Sequence, residues 1–228
     1  MNKILTGLVF SIVMVISSCE PAVVFKSPQP KGITEITSFS SEFRGSFFCE
    51  SDSSLVVVDK NIIYKTHWFD FSIPENRIES DPSLNKSGES LFVKELGECM
   101  IYKIQNDTVY ASVRLTDTLF ILSEENILKS YKGHQVMNLK LKDGDYEVII
   151  LSLDEDTNLE LKMATLPGEV KDLERITPVK DVSYDDVEQY QVNPTQLEFD
   201  EILKQEIVFE TCEYFKRVKI PMKDLYPF

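Results

Sequence analysis

Apolar residues in this chain fall mostly into short runs and strict alternations, broken by Asp, Asn, Gly and Ser. Leu55-Val56-Val57-Val58 and Asn61-Ile62-Ile63-Tyr64-Lys65 flank a polar break, the pattern of a hairpin. Val109, Ala111, Val113 and Leu115 alternate with Tyr110, Ser112 and Arg114, as in a strand with one buried face. Val136 to Leu153 reads as a second hairpin turning at Lys142-Asp143-Gly144-Asp145, and Leu159, Leu161 and Met163 continue it as a third strand. Ser54–Val58 with Asn61–Ile63 is echoed by Thr118–Leu122 with Asn126–Leu128, which predicts a repeated β-meander.

Helical signals are few and lie late in the chain. Residues 168–176 suit a short helix ending before Pro178. Asn193-Pro194-Thr195 opens a better one, with Thr195 and Glu198 spaced as a capping box and Phe199, Ile202 and Leu203 on one face. Ile207 to Val218 reads as a closing strand. The polar stretch Ile73–Gly88 carries two prolines and reads as a long surface loop. The expected fold class is therefore mainly β (α+β), with antiparallel β-meander sheets and one or two short C-terminal helices.

The amino-terminal segment follows a different pattern. After Lys3, Ile4–Ile16 is apolar apart from the small residues Thr6, Gly7 and Ser11, and the next charge is Glu20. A positive start, a short apolar centre and small residues describe a secretory signal peptide; thirteen residues fall short of the roughly 18–20 that span a bilayer as a helix. Ile16-Ser17-Ser18-Cys19 resembles the bacterial lipobox, an aliphatic and two small residues before a cysteine. That resemblance implies cleavage after residue 18, acylation of Cys19 (palmitate among the chains) and a place in the cell envelope, at the outer membrane. Stable anchoring takes more than one acyl chain. From Tyr131 onward, Tyr131-Lys132-Gly133, the paired hairpins, Ile176-Thr177-Pro178-Val179 and Asn193-Pro194-Thr195 together resemble lipoproteins of diderm bacteria with a β-rich domain of unknown function. The likeness implies a shared fold and brings no activity with it. Residues 1–18 are thus expected as a signal peptide, 19–38 as a proline-stiffened tether, and 39–228 as a single β-rich extracytoplasmic domain.

Charge narrows the partners. The chain carries a net −14, and losing residues 1–18 removes only Lys3, leaving the remainder more acidic still. Such a body repels nucleic-acid phosphates and anionic lipid surfaces, so its bilayer contact is expected through acylated Cys19 alone. Beyond Cys19, Cys49, Cys99 and Cys212 leave an odd number; one disulfide among them, for instance Cys49–Cys99, and three small buried hydrophobes are both open. No Cys/His spacing suits zinc, and neither a metal nor another cofactor is expected.

Candidate chemistry is sparse. Only two histidines are present. His67 belongs to His67-Trp68-Phe69-Asp70-Phe71, a cluster able to fill a core or to stack on a sugar ring, and His134 after Lys132-Gly133 reads as a turn residue. Nucleophile-elbow, zincin, P-loop and dinucleotide motifs are absent from the sequence, so no catalytic residue is nominated. The expected function is that of a membrane-anchored, non-catalytic lipoprotein, a binding or envelope-assembly component whose partner is an envelope protein or glycan; the alternative is an extracytoplasmic glycan hydrolase using paired carboxylates. Substituting Cys19→Ser keeps the apolar run and its charge but removes the thiol that would take lipid. Metabolic fatty-acid labelling is expected to vanish and uncleaved precursor to accumulate; retained label in the variant would place the anchor elsewhere.

Overall fold

In the computed structural model, described over residues 21–165, 168, 170–184 and 187–219, the protein is mainly β. One large, mostly antiparallel sheet accounts for 52% strand, with three short helices. Cys19 and residues 1–18 lie outside the described residues. Among the described residues, no helix is long and apolar enough to cross a membrane. The described residues divide into two compact units, one drawn from residues 21–31, 140–148 and 163–210 and the other from residues 32–139, 149–162 and 211–219.

The first unit is built on strand β1 (Val23–Phe25), which pairs in parallel with β14 (Tyr190–Val192) and antiparallel with the start of β11 (Tyr146–Leu153). β13 (Val179–Asp181) lines the far side of β14. The stretch expected as a tether is therefore partly structural: Val23, Val24 and Phe25 are fully buried. Three consecutive apolar residues form a strand with both faces covered, which shows none of the alternation that marks a half-exposed one. Phe25 stacks on Phe209 at 6.1 Å and meets Phe199 edge-on at 6.3 Å, giving the unit an aromatic core. Phe199 comes from helix α3 (Gln196–Gln205). Its capping box is formed as expected, with the Glu198 amide donating to Thr195 Oγ1 and the Thr195 amide to Glu198 Oε2 at 2.7 Å. The short helix expected near 168–176 is α2 (Val170–Glu174). At the other end of β1, the ammonium of Lys26 meets buried Asp145 at 3.0 Å, and Gln191 Nε2 donates to the second oxygen of the same carboxylate.

The second unit is a run of antiparallel strands. In order across the sheet they are β15 (Phe209–Val218), β2 (Gly45–Phe48), β3 (Leu55–Val58), β4 (Ile62–Pro74), β8 (Thr108–Ile121), β7 (Gly97–Gln105), β6 (Ser90–Val93) and β5 (Leu84–Ser87). β9 (Ile127–Tyr131) pairs with β10 (His134–Lys140), which pairs with β11. The hairpin from Val136 and the following strand β12 (Leu159–Ala164) fall where the alternation places them. Two expectations are corrected. Residues 73–88 are not a loop: they hold helix α1 (Glu75–Ser80) and β5, and Ile78 anchors α1 by burial against Leu91, Val109 and Val113. The repeated meander fails as well, because β3 pairs with β4 whereas β8 pairs with β4 and β7, not with β9. The two similar segments instead lie against one another, with Ile62 opposite Ile121 and Ile63 opposite Phe120.

Arg217 fastens the margin of this unit. Its guanidinium donates to the carbonyls of Arg44 at 3.0 Å, Thr157 at 3.0 Å and Glu42, and lies 4.5 Å from the Phe47 ring centroid. The fit requires glycine at position 45, where φ is +146° and an added Cβ would fall 2.8 Å from Arg217 Nη1. Gly45→Ala combines backbone strain with displacement of a guanidinium held by three carbonyls. It is expected to cost about 1–3 kcal/mol of unfolding free energy, read as a lowered denaturation midpoint in urea; an unchanged midpoint would contradict this account of the margin.

Candidate functional surface

Side chains along a strand point alternately to opposite faces, so the register of β5–β6–β7–β8–β4 sorts its residues into two sets. Val109, Ala111 and Val113 of β8, Cys99 of β7 and Leu91 and Val93 of β6 face α1 and are buried together, with Phe69, Phe71, Ile73, Leu84, Ile101 and Leu115 against them. The alternate positions form the other face. Trp68 lies opposite Arg114, Asp70 opposite Ser112, and Ser72 opposite Tyr110. Met100 continues the second row beside Ser112 and opposite Ser90, and Lys103 continues the third beside Tyr110. Phe92 of β6 lies opposite Glu98 of β7.

This outer face meets solvent. Phe92 is 50% exposed and Tyr102 49%, and Asp70, Glu98, Lys103 and Arg114 are exposed as well. Trp68 is half-buried and borders a groove of about 400 Å³ with Arg114, Glu98, Met100, Ser112 and Ser90. Glu98 is oriented by Ser90, whose hydroxyl donates to it at 2.8 Å. At the third row, the Lys103 ammonium lies 5.5 Å from the Tyr110 ring centroid, and Tyr102 lies 6.4 Å from the same ring. The face thus carries aromatic groups set apart by polar ones, on a rigid ladder.

The sequence cluster around Trp68 is therefore divided. Phe69 and Phe71 face the core and stack at 6.0 Å, whereas Trp68 belongs to the outer face. His67, opposite Leu115, points away from the groove, with Nδ1 3.9 Å from Asp117. The sequence reading did not single out Phe92, Glu98, Tyr102 or Arg114. Arg114 and Tyr110 were legible as the polar phase of the alternation in β8; Phe92 was hidden inside the apolar run Leu91-Phe92-Val93.

Other polar clusters are engaged in the fold. Lys65 Nζ lies 3.0 Å from Asp52 and 2.6 Å from Glu213. Burial works against the Asp52 charge, but hydrogen bonds from Ser54 and Lys65 outweigh it and hold this carboxyl well below the usual carboxylate range. An Asp52 carboxyl held ionised in this way is not itself a proton donor. Cys49 and Cys99 are buried thiols and Cys212 is an exposed one, and none of the three is in a disulfide. Among the described residues, no group of three or more His, Cys, Asp and Glu could hold a metal. Comparison with known proteins finds no matching family model, no matching curated protein and no matching solved structure.

His134 is not a turn residue but opens β10, behind a turn in which Lys132 and Gly133 take positive φ. Its Nδ1 lies 2.8 Å from Ser152 Oγ, a separation seen between a nucleophile and its base. Ser152, however, is only 7% exposed, which leaves its hydroxyl out of reach of a substrate. Burial, aided by the Lys162 charge and opposed by Glu160, lowers the His134 pKa. The unfolded imidazole binds its proton near pH 6.5 and the folded one only at lower pH. Stability is accordingly full above about pH 6.5 and falls as the pH drops through that value toward the folded pKa. Urea unfolding at pH 7.5 and 5.5 should show this loss in the native chain and a smaller loss in His134→Gln, which keeps a hydrogen-bonding group but cannot titrate. Equal losses in the two proteins would contradict the assignment.

Proposed function

We propose that this chain is a non-catalytic binding component of a bacterial cell envelope, tethered to the outer membrane through acylated Cys19 and acting through the outer face of β5–β6–β7–β8–β4. The observation that carries this reading is the exposure of that face: a five-stranded ladder with a packed inner side presents Trp68, Phe92, Tyr102 and Tyr110 outward among charged residues. Rigid elements that hold aromatic groups at the surface suit recognition, because little side-chain and backbone freedom remains to be lost on binding. The rival reading, a hydrolase with paired carboxylates, is supported less well, since Asp52 and Glu213 are both held by Lys65.

The test places a photo-crosslinking residue at Tyr102, and separately at Leu197, which is 82% exposed in the other unit. Irradiation in the native envelope is expected to produce adducts of the Tyr102 variant and none above background for the Leu197 variant. Adducts that are equal at both sites, or absent at Tyr102, would remove the face from the account.

A further inference from the structure

We infer that the ligand of this face is an uncharged glycan chain lying across the strands, with sugar rings stacked on Trp68 and Phe92 and hydroxyls held between them by Arg114, Glu98 and Ser90. The inference rests on the binding-face reading and deepens it. Three features of the face select this chemistry.

The first is spacing. Trp68 is on β4 and Phe92 on β6, with β8 and β7 between, so the two aromatic side chains are rooted about 14 Å apart at ordinary strand separation. The groove bounded by Trp68, Arg114 and Glu98 lies along that path. The core of a protein interface is a continuous apolar area depleted of charge, whereas here a guanidinium and a carboxylate occupy the middle. A chain of sugar rings suits the alternation, because each ring has an apolar C–H face and a rim of hydroxyls.

The second is charge. The chain as a whole is strongly acidic at −14, yet on this face Arg114 and Lys103 balance Glu98 and Asp70. An acidic polymer would be repelled by the whole molecule. A basic one would be drawn as strongly to the acidic surface elsewhere and would gain nothing from a balanced patch. A neutral ligand is the one for which this face is distinguished from its surroundings.

The third is the supply of hydrogen bonds. Glu98 accepts, Arg114 carries a planar fork of donors, and the Ser90 hydroxyl, whose proton goes to Glu98, accepts. Neighbouring sugar hydroxyls match a carboxylate or guanidinium in two-point contacts. A ligand that reaches both Trp68 and Phe92 must extend over about 14 Å, which predicts affinity that grows with ligand length.

The experiment titrates the full-length, lipidated protein in detergent with cellohexaose, xylohexaose, mannohexaose and maltohexaose, and with hexagalacturonate as the acidic comparison, following heat by calorimetry. At least one uncharged hexasaccharide is expected to bind, its trisaccharide more weakly. Trp68→Ala should weaken binding by roughly tenfold or more, as for loss of a stacked ring, and Phe92→Ala several-fold, with circular dichroism unchanged. Leu197→Ala should bind as the native chain does. Binding by none of the uncharged hexasaccharides, preference for hexagalacturonate, or affinity unaltered by Trp68→Ala and Phe92→Ala would each overturn the inference. If crosslinks form at Tyr102 while every hexasaccharide fails, the face survives as a binding surface and the glycan does not; if both fail, the face itself is withdrawn.

Discussion

The pairing of β4 with β8 is the constraint on which the second unit depends. Its register runs from Ile62 opposite Ile121 to Pro74 opposite Thr108, with one irregularity at Ile63 and Tyr64. One half of this ladder carries Ile63 and Phe120, which are buried, with Phe39 edge-on to Phe120 at 5.8 Å. The other half carries Phe69, Phe71, Val109, Ala111 and Val113 against Ile78 of α1. Because the side-chain period is two, a slip of a single residue would turn these apolar groups to solvent and bring Asp70, Ser72 and Arg114 inward. Burial of one face thus fixes the composition of the other. The exposed aromatic and charged rows are a direct consequence of the same register that builds the core.

Electrostatics separates the outer face from the remaining polar clusters. The Asp52–Lys65–Glu213 group, the His134–Ser152 pair and the Lys26–Asp145–Gln191 group each satisfy buried or half-buried polar atoms across adjoining segments. Leaving one such partner unpaired costs more than the pair contributes, which accounts for their placement without invoking chemistry. On the outer face, Glu98 and Arg114 are exposed beside Trp68. Glu98 accepts a hydrogen bond from Ser90 on the adjacent strand and still presents its carboxylate at the surface.

Period-two alternation made β8 and β12 legible in the sequence; β10 and β11 also alternate apolar with polar or smaller residues, although the fold buries both faces of their central residues. The helix after Thr195 was legible from its capping box, a local pattern that tertiary structure left intact. Fully buried segments were not: Val23-Val24-Phe25 lacks a polar phase, and proline on both sides lent it the look of a linker. α1 and β5 were missed because a six-residue helix and a four-residue strand, with Ile78 and Leu84 as their apolar contacts, give too short a window for a period. The outer face was half-legible. Trp68 and Arg114 lie 46 positions apart in the chain, and only the antiparallel pairing places them opposite one another.

Binding at the outer face requires that it be open to solvent, and Trp68 reports on this directly because it is the single tryptophan in the chain. Its fluorescence in the folded, full-length protein should be quenched by acrylamide, a small neutral quencher, with a rate constant intermediate between that of a free indole and that of a core tryptophan. Addition of a saturating ligand should protect it. A blue-shifted emission that acrylamide does not reach in the ligand-free protein would mean that Trp68 is covered and would contradict the central claim.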